Sequence, residues 1–128
     1  MTDQERDKRL IETALPLEKV SDESQSEKYR SYGRLSNLHR WWAVRPLSAS
    51  RVAAYASLVS EPEDDEELEE EMNFISELCE WENMHNPRTI ERASERISEE
   101  FEEERPRVLD PFGGAGTMPL EAKRIGLE

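Results

Sequence analysis

The sequence predicts a mostly α-helical chain that closes with one strand, a loop and a helix. Apolar residues recur at helical spacing in the N-terminal part, and Pro and Gly fall where helices would start and stop. After Arg107 a short β-prone run meets a glycine-rich loop. With 35% hydrophobic and 37% charged residues, the core must be thin for a chain of 128. Such a composition borders on that of disordered chains. Three Trp, three Tyr, three Phe and the apolar stripes argue instead for a helical, partly compact body.

The elements are expected in the following order. A short helix from Glu5 to Ala14, broken at Pro16, would bury Leu10, Ile11, Ala14 and Leu15. Ser24-Gln25-Ser26-Glu27 fits a capping box, with a brief helix running from it to Tyr32 and stopped by Gly33. Ser36 to Val44 reads as a turn of helix around Leu38, Trp41 and Trp42. Pro46 suits the first position of a helix, where its missing N–H costs nothing. Val52, Tyr55, Ala56 and Val59 then line one buried face, and Pro62 ends it.

Leu68, Met72, Ile75, Leu78, Cys79 and Glu82 make a stripe in the acidic segment, with Glu63 to Glu67 at the positive end of the helix dipole. Asn86 and Pro87 form a cap and a first helical residue, followed by a second stripe of Ile90, Ala93, Ile97 and Phe101. Together the stripes predict an antiparallel helical hairpin. Val108-Leu109 reads as a strand and Leu120 to Ile125 as a helix closed by Gly126, the first half of a βαβ unit. The chain thus divides into a helical region 1–60, an acidic hairpin 61–105 and a strand–loop–helix 106–128. A lone strand has no sheet to join, so residues 107–128 are expected to be poorly protected.

The net charge is −13, and its distribution is informative. Residues 1–60 hold 10 bases and 8 acids, whereas residues 61–87 hold 12 acids and no base. Between 28 and 60 lie six bases (Lys28, Arg30, Arg34, Arg40, Arg45, Arg51) and no acid, so this stretch can meet phosphates although the whole chain would repel nucleic acid at long range. Acid-rich surfaces with only four lysines also suit a high-salt cytoplasm, where repulsion is screened, and predict a halophilic protein. The acidic run 61–71 lacks the alternating ligands and glycine of a Ca²⁺ loop and reads as a solvated helix start. Cys79 has no disulfide partner, no Cys/His spacing suggests zinc, and no apolar run is long enough for a membrane span. The polar, mixed-charge start, Met1 to Arg9, is unlike a secretory signal, so a cytoplasmic protein is expected.

Chemistry concentrates in Asp110-Pro111-Phe112-Gly113-Gly114-Ala115-Gly116-Thr117. A strand ending in Asp110 would deliver a carboxylate to the carboxyl edge of a parallel sheet, where such folds bind ligands. Gly114 and Gly116 let the backbone turn sharply and approach a ligand closely. Thr117 and the helix after it present N–H groups and a dipole end to an anion. Pro111 fixes φ, and Phe112 supplies a flat apolar wall. A P-loop is excluded because no lysine follows Gly116 until Lys123, and the dinucleotide fingerprint because position 119 is Pro. The structural alternative is a left-handed turn in an ordinary βα connection.

This loop resembles motif I of the amino-group DNA methyltransferases. The resemblance extends through Leu10-Ile11-Glu12-x-Ala14-Leu15-Pro16-Leu17, Leu38-His39-Arg40-Trp41-Trp42-Ala43-x-Arg45-Pro46-Leu47, Trp81-Glu82-Asn83 and Val108 to Leu127. Over these segments the chain is similar to the N-terminal region of the prokaryotic adenine-specific DNA methylases that carry a zinc ribbon. The resemblance implies a Rossmann-like (α/β) methyltransferase core beginning at 106, with S-adenosylmethionine as cofactor and DNA as partner in the complete enzyme. Asp110, Pro111, Phe112, Gly114, Gly116 and Thr117 would line the cofactor. His39, Arg40, Trp42, Arg45 and Pro46 would lie beside cofactor or nucleic acid. The methyl acceptor would be adenine N6 or, as an alternative, cytosine N4, as in restriction-modification systems.

Departures qualify these expectations. The catalytic Asp/Asn-Pro-Pro-Tyr/Phe tetrapeptide and the zinc ribbon are absent, as is the acidic residue of the next strand that grips the ribose. Base methylation needs a closed pocket for an extruded base. The chain is therefore expected to be an N-terminal fragment or one half of a split methylase, inactive alone, with no catalytic residue of its own and no metal. The rivals are an RNA methyltransferase with the same loop, and a non-enzymatic acidic helical protein that binds a second chain. Trp41-Trp42 with Arg40 and Arg45 offers a stacking platform with phosphate contacts, or places at least one Trp in the core. The alternative is that Arg45 and Arg51 pair with the acidic hairpin as internal glue. His39 reads as structural, and Cys79 and Met72 as core.

Overall fold

A computed structural model describes residues 8–30, 42–101 and 104–128. The described chain is mostly helical. Its order is α1 (Leu10–Thr13), α2 (Leu17–Glu27), α3 (Leu47–Ala56), α4 (Asp65–Cys79), a 3₁₀ turn (Glu82–His85), α5 (Pro87–Glu100) and α6 (Thr117–Arg124). No strand occurs among the described residues. The expected Val108-Leu109 strand is represented by one backbone hydrogen bond, Val108 N to Glu128 O at 2.7 Å. A strand needs a ladder of such bonds, and one rung does not make it.

The N-terminal helices depart from the sequence reading. Of the Glu5–Ala14 helix, the part before Lys8 lies outside the described residues, and α1 begins only at Leu10. Arg9 is drawn out of the helix by an antiparallel bridge to Ser60, and Leu10 N donates to Val59 O at 3.1 Å. Leu10 is buried as expected, but Ile11 is 43% exposed.

The capping box also fails. Ser24 and Ser26 lie inside α2, where their hydroxyls donate back to the carbonyls of Val20 and Glu23. Glu27 reaches across to α3 instead. Its Oε1 accepts from Leu47 N at 3.0 Å, and its Oε2 accepts from the N–H and hydroxyl of Ser48. That carboxylate takes the first free amides of α3, so Pro46 is its N-cap rather than its first residue. Gly33 and the helical turn around Leu38 and Trp41 lie outside the described residues.

The acidic hairpin is present. Asn86 caps α5, its Oδ1 accepting from Arg88 N at 3.2 Å, with Pro87 as first residue. Thr89 meets Glu77, Arg92 lies over the Phe74 ring, and Arg96 faces Glu71, so positions rise on α5 as they fall on α4. The two helices are therefore antiparallel. Glu63 to Glu67 are exposed, as a solvated helix start should be.

One core joins all of these. Leu10, Val52, Tyr55, Ala56 and Val59 pack with Phe74, Ile75, Leu78 and Cys79, with Ala93 and Ile97, and with Ala122, Ile125 and Leu127. Met72 is only half-buried; Phe74, two residues on and so on the other side of α4, takes the inner position and meets Tyr55 edge-on at 5.5 Å. Burial pushes the Cys79 thiol up to about 11, with nearby Glu23 adding to the shift. Within 107–128, Leu109 is 88% exposed, whereas Ala122, Ile125 and Leu127 are buried. Helix α6 docks chiefly on α3 and needs no sheet to be held.

Candidate functional site

Helix α6 positions the candidate loop, and its start is set by glycine. Gly114 (φ 52°) and Gly116 (φ 77°) both adopt the left-handed conformation, which costs other residues about 1–2 kcal/mol. Gly116 is the N-cap, its N–H donating to Gly113 O at 2.7 Å. The helix then starts at Thr117, three residues earlier than expected, because Pro119 falls in the first turn, where proline is tolerated. Thr117 is buried, and its amide and that of Met118 have no partner within the helix. At the other end Gly126 (φ 90°) closes α6, with Gly126 N donating to Lys123 O and Leu127 N to Ala122 O. This is the left-handed helix stop expected of that glycine.

Asp110 shapes the loop. Its Oδ1 accepts from Phe112 N at 2.9 Å, and its Oδ2 from Arg45 Nη1 at 2.7 Å. Arg45 Nη2 also donates to Phe112 O at 3.4 Å. The arginine therefore brackets the Asp110-Pro111-Phe112 turn from a point immediately before α3. Its side chain is 47% exposed and that of Asp110 only 7%, so the carboxylate lies under the guanidinium.

Two groups of expected site residues behave differently. Asp110, Pro111, Phe112, Gly114, Gly116 and Thr117 lie on one continuous loop, Arg45 joins them through the ion pair, and Pro46 caps α3 beside it. Phe112 is 80% exposed, an outward-facing ring rather than a wall of a closed cavity. Trp42 is wholly exposed and takes no part in the core. His39, Arg40 and Trp41 lie outside the described residues.

Beneath the loop lies a buried ionic cluster that the sequence reading missed. Glu121 on α6 and Arg51 on α3 are 0% and 1% exposed. Arg51 Nη1 donates to Glu121 Oε2 at 3.3 Å, while Nε reaches Leu78 O and Nη2 reaches the carbonyls of Cys79 and Glu80. Arg51 thus meets the acidic hairpin, as one reading expected, through backbone carbonyls at the end of α4 rather than through glutamates. Arg124 Nε donates to Glu121 Oε1 at 3.1 Å. Burial pushes the Glu121 carboxyl above its ordinary range, against the pull of Arg51 and Arg124, and holds Arg51 below its own. The available signal was position. Thr117, Glu121 and Ile125 fall on one helical face, and a charge in the middle of a buried stripe needs a partner.

No group of His, Cys, Asp and Glu suited to a metal ion occurs among the described residues, and no helix there is long and apolar enough to cross a membrane. Residues 14–97 match the family "Protein of unknown function (DUF1156)", more than half of the chain. The chain belongs to that family. The match covers α2 to most of α5 and stops before the loop of this DUF1156 protein. No curated protein and no solved structure matches it.

Proposed function

We propose that this DUF1156 chain supplies the cofactor-loop part of a S-adenosylmethionine-dependent DNA methyltransferase acting on adenine N6. In this reading residues 106–128 open its Rossmann-like core. The observation that carries it is the Arg45–Asp110 pair. It joins two of the segments on which the resemblance to the zinc-ribbon adenine methylases rests, although 65 residues separate them.

Two further features support it. A Cβ built on Gly116 would meet no atom within 4 Å, so the space beside the loop is open to a ligand. The Val108–Glu128 hydrogen bond returns the chain leaving α6 to the side of its entry. In this reading a parallel strand pair would grow from that pairing, with α6 as its crossover. S-adenosylmethionine, when bound, supplies the sulfonium methyl. Asp110 and Arg45 then hold the loop in shape, and the Thr117 and Met118 amides face the ligand at the helix start. Residues 1–128 hold no Asp/Asn-Pro-Pro-Tyr/Phe tetrapeptide, so in this reading methyl transfer to DNA draws on one outside them.

Titrating S-adenosylmethionine into the ¹⁵N-labelled chain tests the reading. Weak, saturable shifts should be confined to Arg45, Asp110 and Gly113 to Thr117. Their absence, or shifts centred on another surface, would overturn it. With labelled cofactor, DNA and a complementing chain, the methyl group should appear on adenine N6. A second reading, a helical partner protein without chemistry, draws on the exposed Trp42, Leu109 and Phe112 and expects the same titration to be silent.

A further inference from the structure

The loop is not held by its own segment alone. Arg45, just before α3, grips Asp110 and Phe112 at the loop entrance. Arg51, six residues on and within α3, grips Glu121 on the helix that leaves the loop. The register of α3 is itself set from three directions. Glu27 of α2 takes the amides of Leu47 and Ser48, Arg51 takes three carbonyls at the end of α4, and Tyr55 donates to Glu71. Any sliding of α3 would therefore move both arginines together and pull the loop out of shape.

The Glu121 carboxylate carries an unusual load for a surface helix of eight residues. It is wholly buried and lies between two arginines, and Arg124 in turn reaches Met84 O and His85 Nδ1 on the 3₁₀ turn. An apolar residue there would fill the same space without the desolvation that a buried pair entails. What the pair adds over an apolar contact is direction, because a guanidinium with four fixed acceptors tolerates little displacement.

We propose that Arg51 and Glu121 are positioning residues: the buried pair registers α6 on α3 so that Arg45 and Asp110 meet and the Asp110–Thr117 loop takes its ligand-ready shape. The proposal rests on the reading of that loop as a cofactor site, but its geometric half can be tested without any cofactor.

The test compares the full chain with Glu121→Gln, which keeps the size and one acceptor but removes the charge. Amide exchange is read at Gly116 and Leu120, whose N–H groups bond within the loop and the first turn of α6. Exchange there should quicken by at least about tenfold, because removing one charge of a buried pair loosens what it held. Amides of Ile75 and Ile97 in the hairpin core should stay unchanged. Arg45 and Asp110 signals should move as well, a signature that a purely local packing defect beneath α6 would not produce. If Glu121→Gln does not fold, Arg124→Gln removes only the half-buried partner and should shift the same loop signals to a smaller extent. Unchanged loop amides in a folded variant would overturn the proposal. A S-adenosylmethionine titration on the same samples separates the two ideas. Cofactor binding with an undisturbed loop in the variant sinks positioning alone. A disturbed loop with no binding in the unmodified chain sinks the cofactor reading alone.

Discussion

Single carboxylates decide several junctions of this fold, and Glu100 is the most testable. Its Oε1 accepts from Ser60 N at 3.2 Å, and its Oε2 accepts from Ser60 Oγ and Arg9 Nη1. Arg96 lies at 3.1 Å. Burial works to raise its pKa, yet the Ser60 hydroxyl and amide, with Arg96 and Arg9, hold it below the ordinary 4.5. A carboxylate depressed in the folded state contributes stability that is complete above its unfolded pKa and lost as pH falls through the folded value. The tie between the N-terminal segment and α5 should therefore weaken as pH drops below 4.5. Unfolding free energies of the unmodified chain and Glu100→Gln, from denaturant curves, should differ by about 1–2 kcal/mol at neutral pH and converge in acid. Equal pH dependence of the two proteins would contradict this.

Local signals served best where an element is closed by its own residues. Asn86-Pro87 starts α5 and Gly126 ends α6, both legible from residue type alone. Asn86→Ala should destabilise the protein by about 1 kcal/mol through loss of the bond to Arg88 N. Urea unfolding would check it, with Asn86→Asp as the variant expected to keep the cap. Elements capped from elsewhere were misread. α3 takes its cap from Glu27, twenty residues upstream, and no local rule identifies such a partner. The Ser24–Glu27 pattern looked like a start because it has the right residue types, yet α2 begins earlier and its serines turn back on their own helix.

For the whole molecule, charge and burial are segregated. The exposed acids from Glu63 to Glu70 face solvent before and along the start of α4, while the buried Arg51 is spent internally. A net charge of −13 on so small a body produces self-repulsion that salt screens. The thermal midpoint should accordingly rise as potassium chloride is raised from low to molar concentration. A midpoint that is highest at low salt would remove the halophilic expectation. The same segregation bears on nucleic acid. The basic stretch 28–60 is partly consumed in internal pairs, Arg30 with Glu82, Arg45 with Asp110 and Arg51 with Glu121.

Residue order by itself determined the helical class, the α4–α5 hairpin, the turn at Gly114 and Gly116, and the stop at Gly126. Each of these depends on side-chain period or on a backbone angle that one residue type favours, so it is written locally. The tertiary structure alone decided what the loop is attached to. Arg45 meets Asp110, and Arg51 meets Glu121, across 65 and 70 residues of chain. Charges so far apart pair only once α3 and α6 share a core, and that contact is set by the packing of Val52, Tyr55, Ala122 and Ile125 with the rest of the interior. Its strand, by contrast, stayed a single rung, because a ladder requires neighbours that β-propensity at Val108 and Leu109 cannot supply.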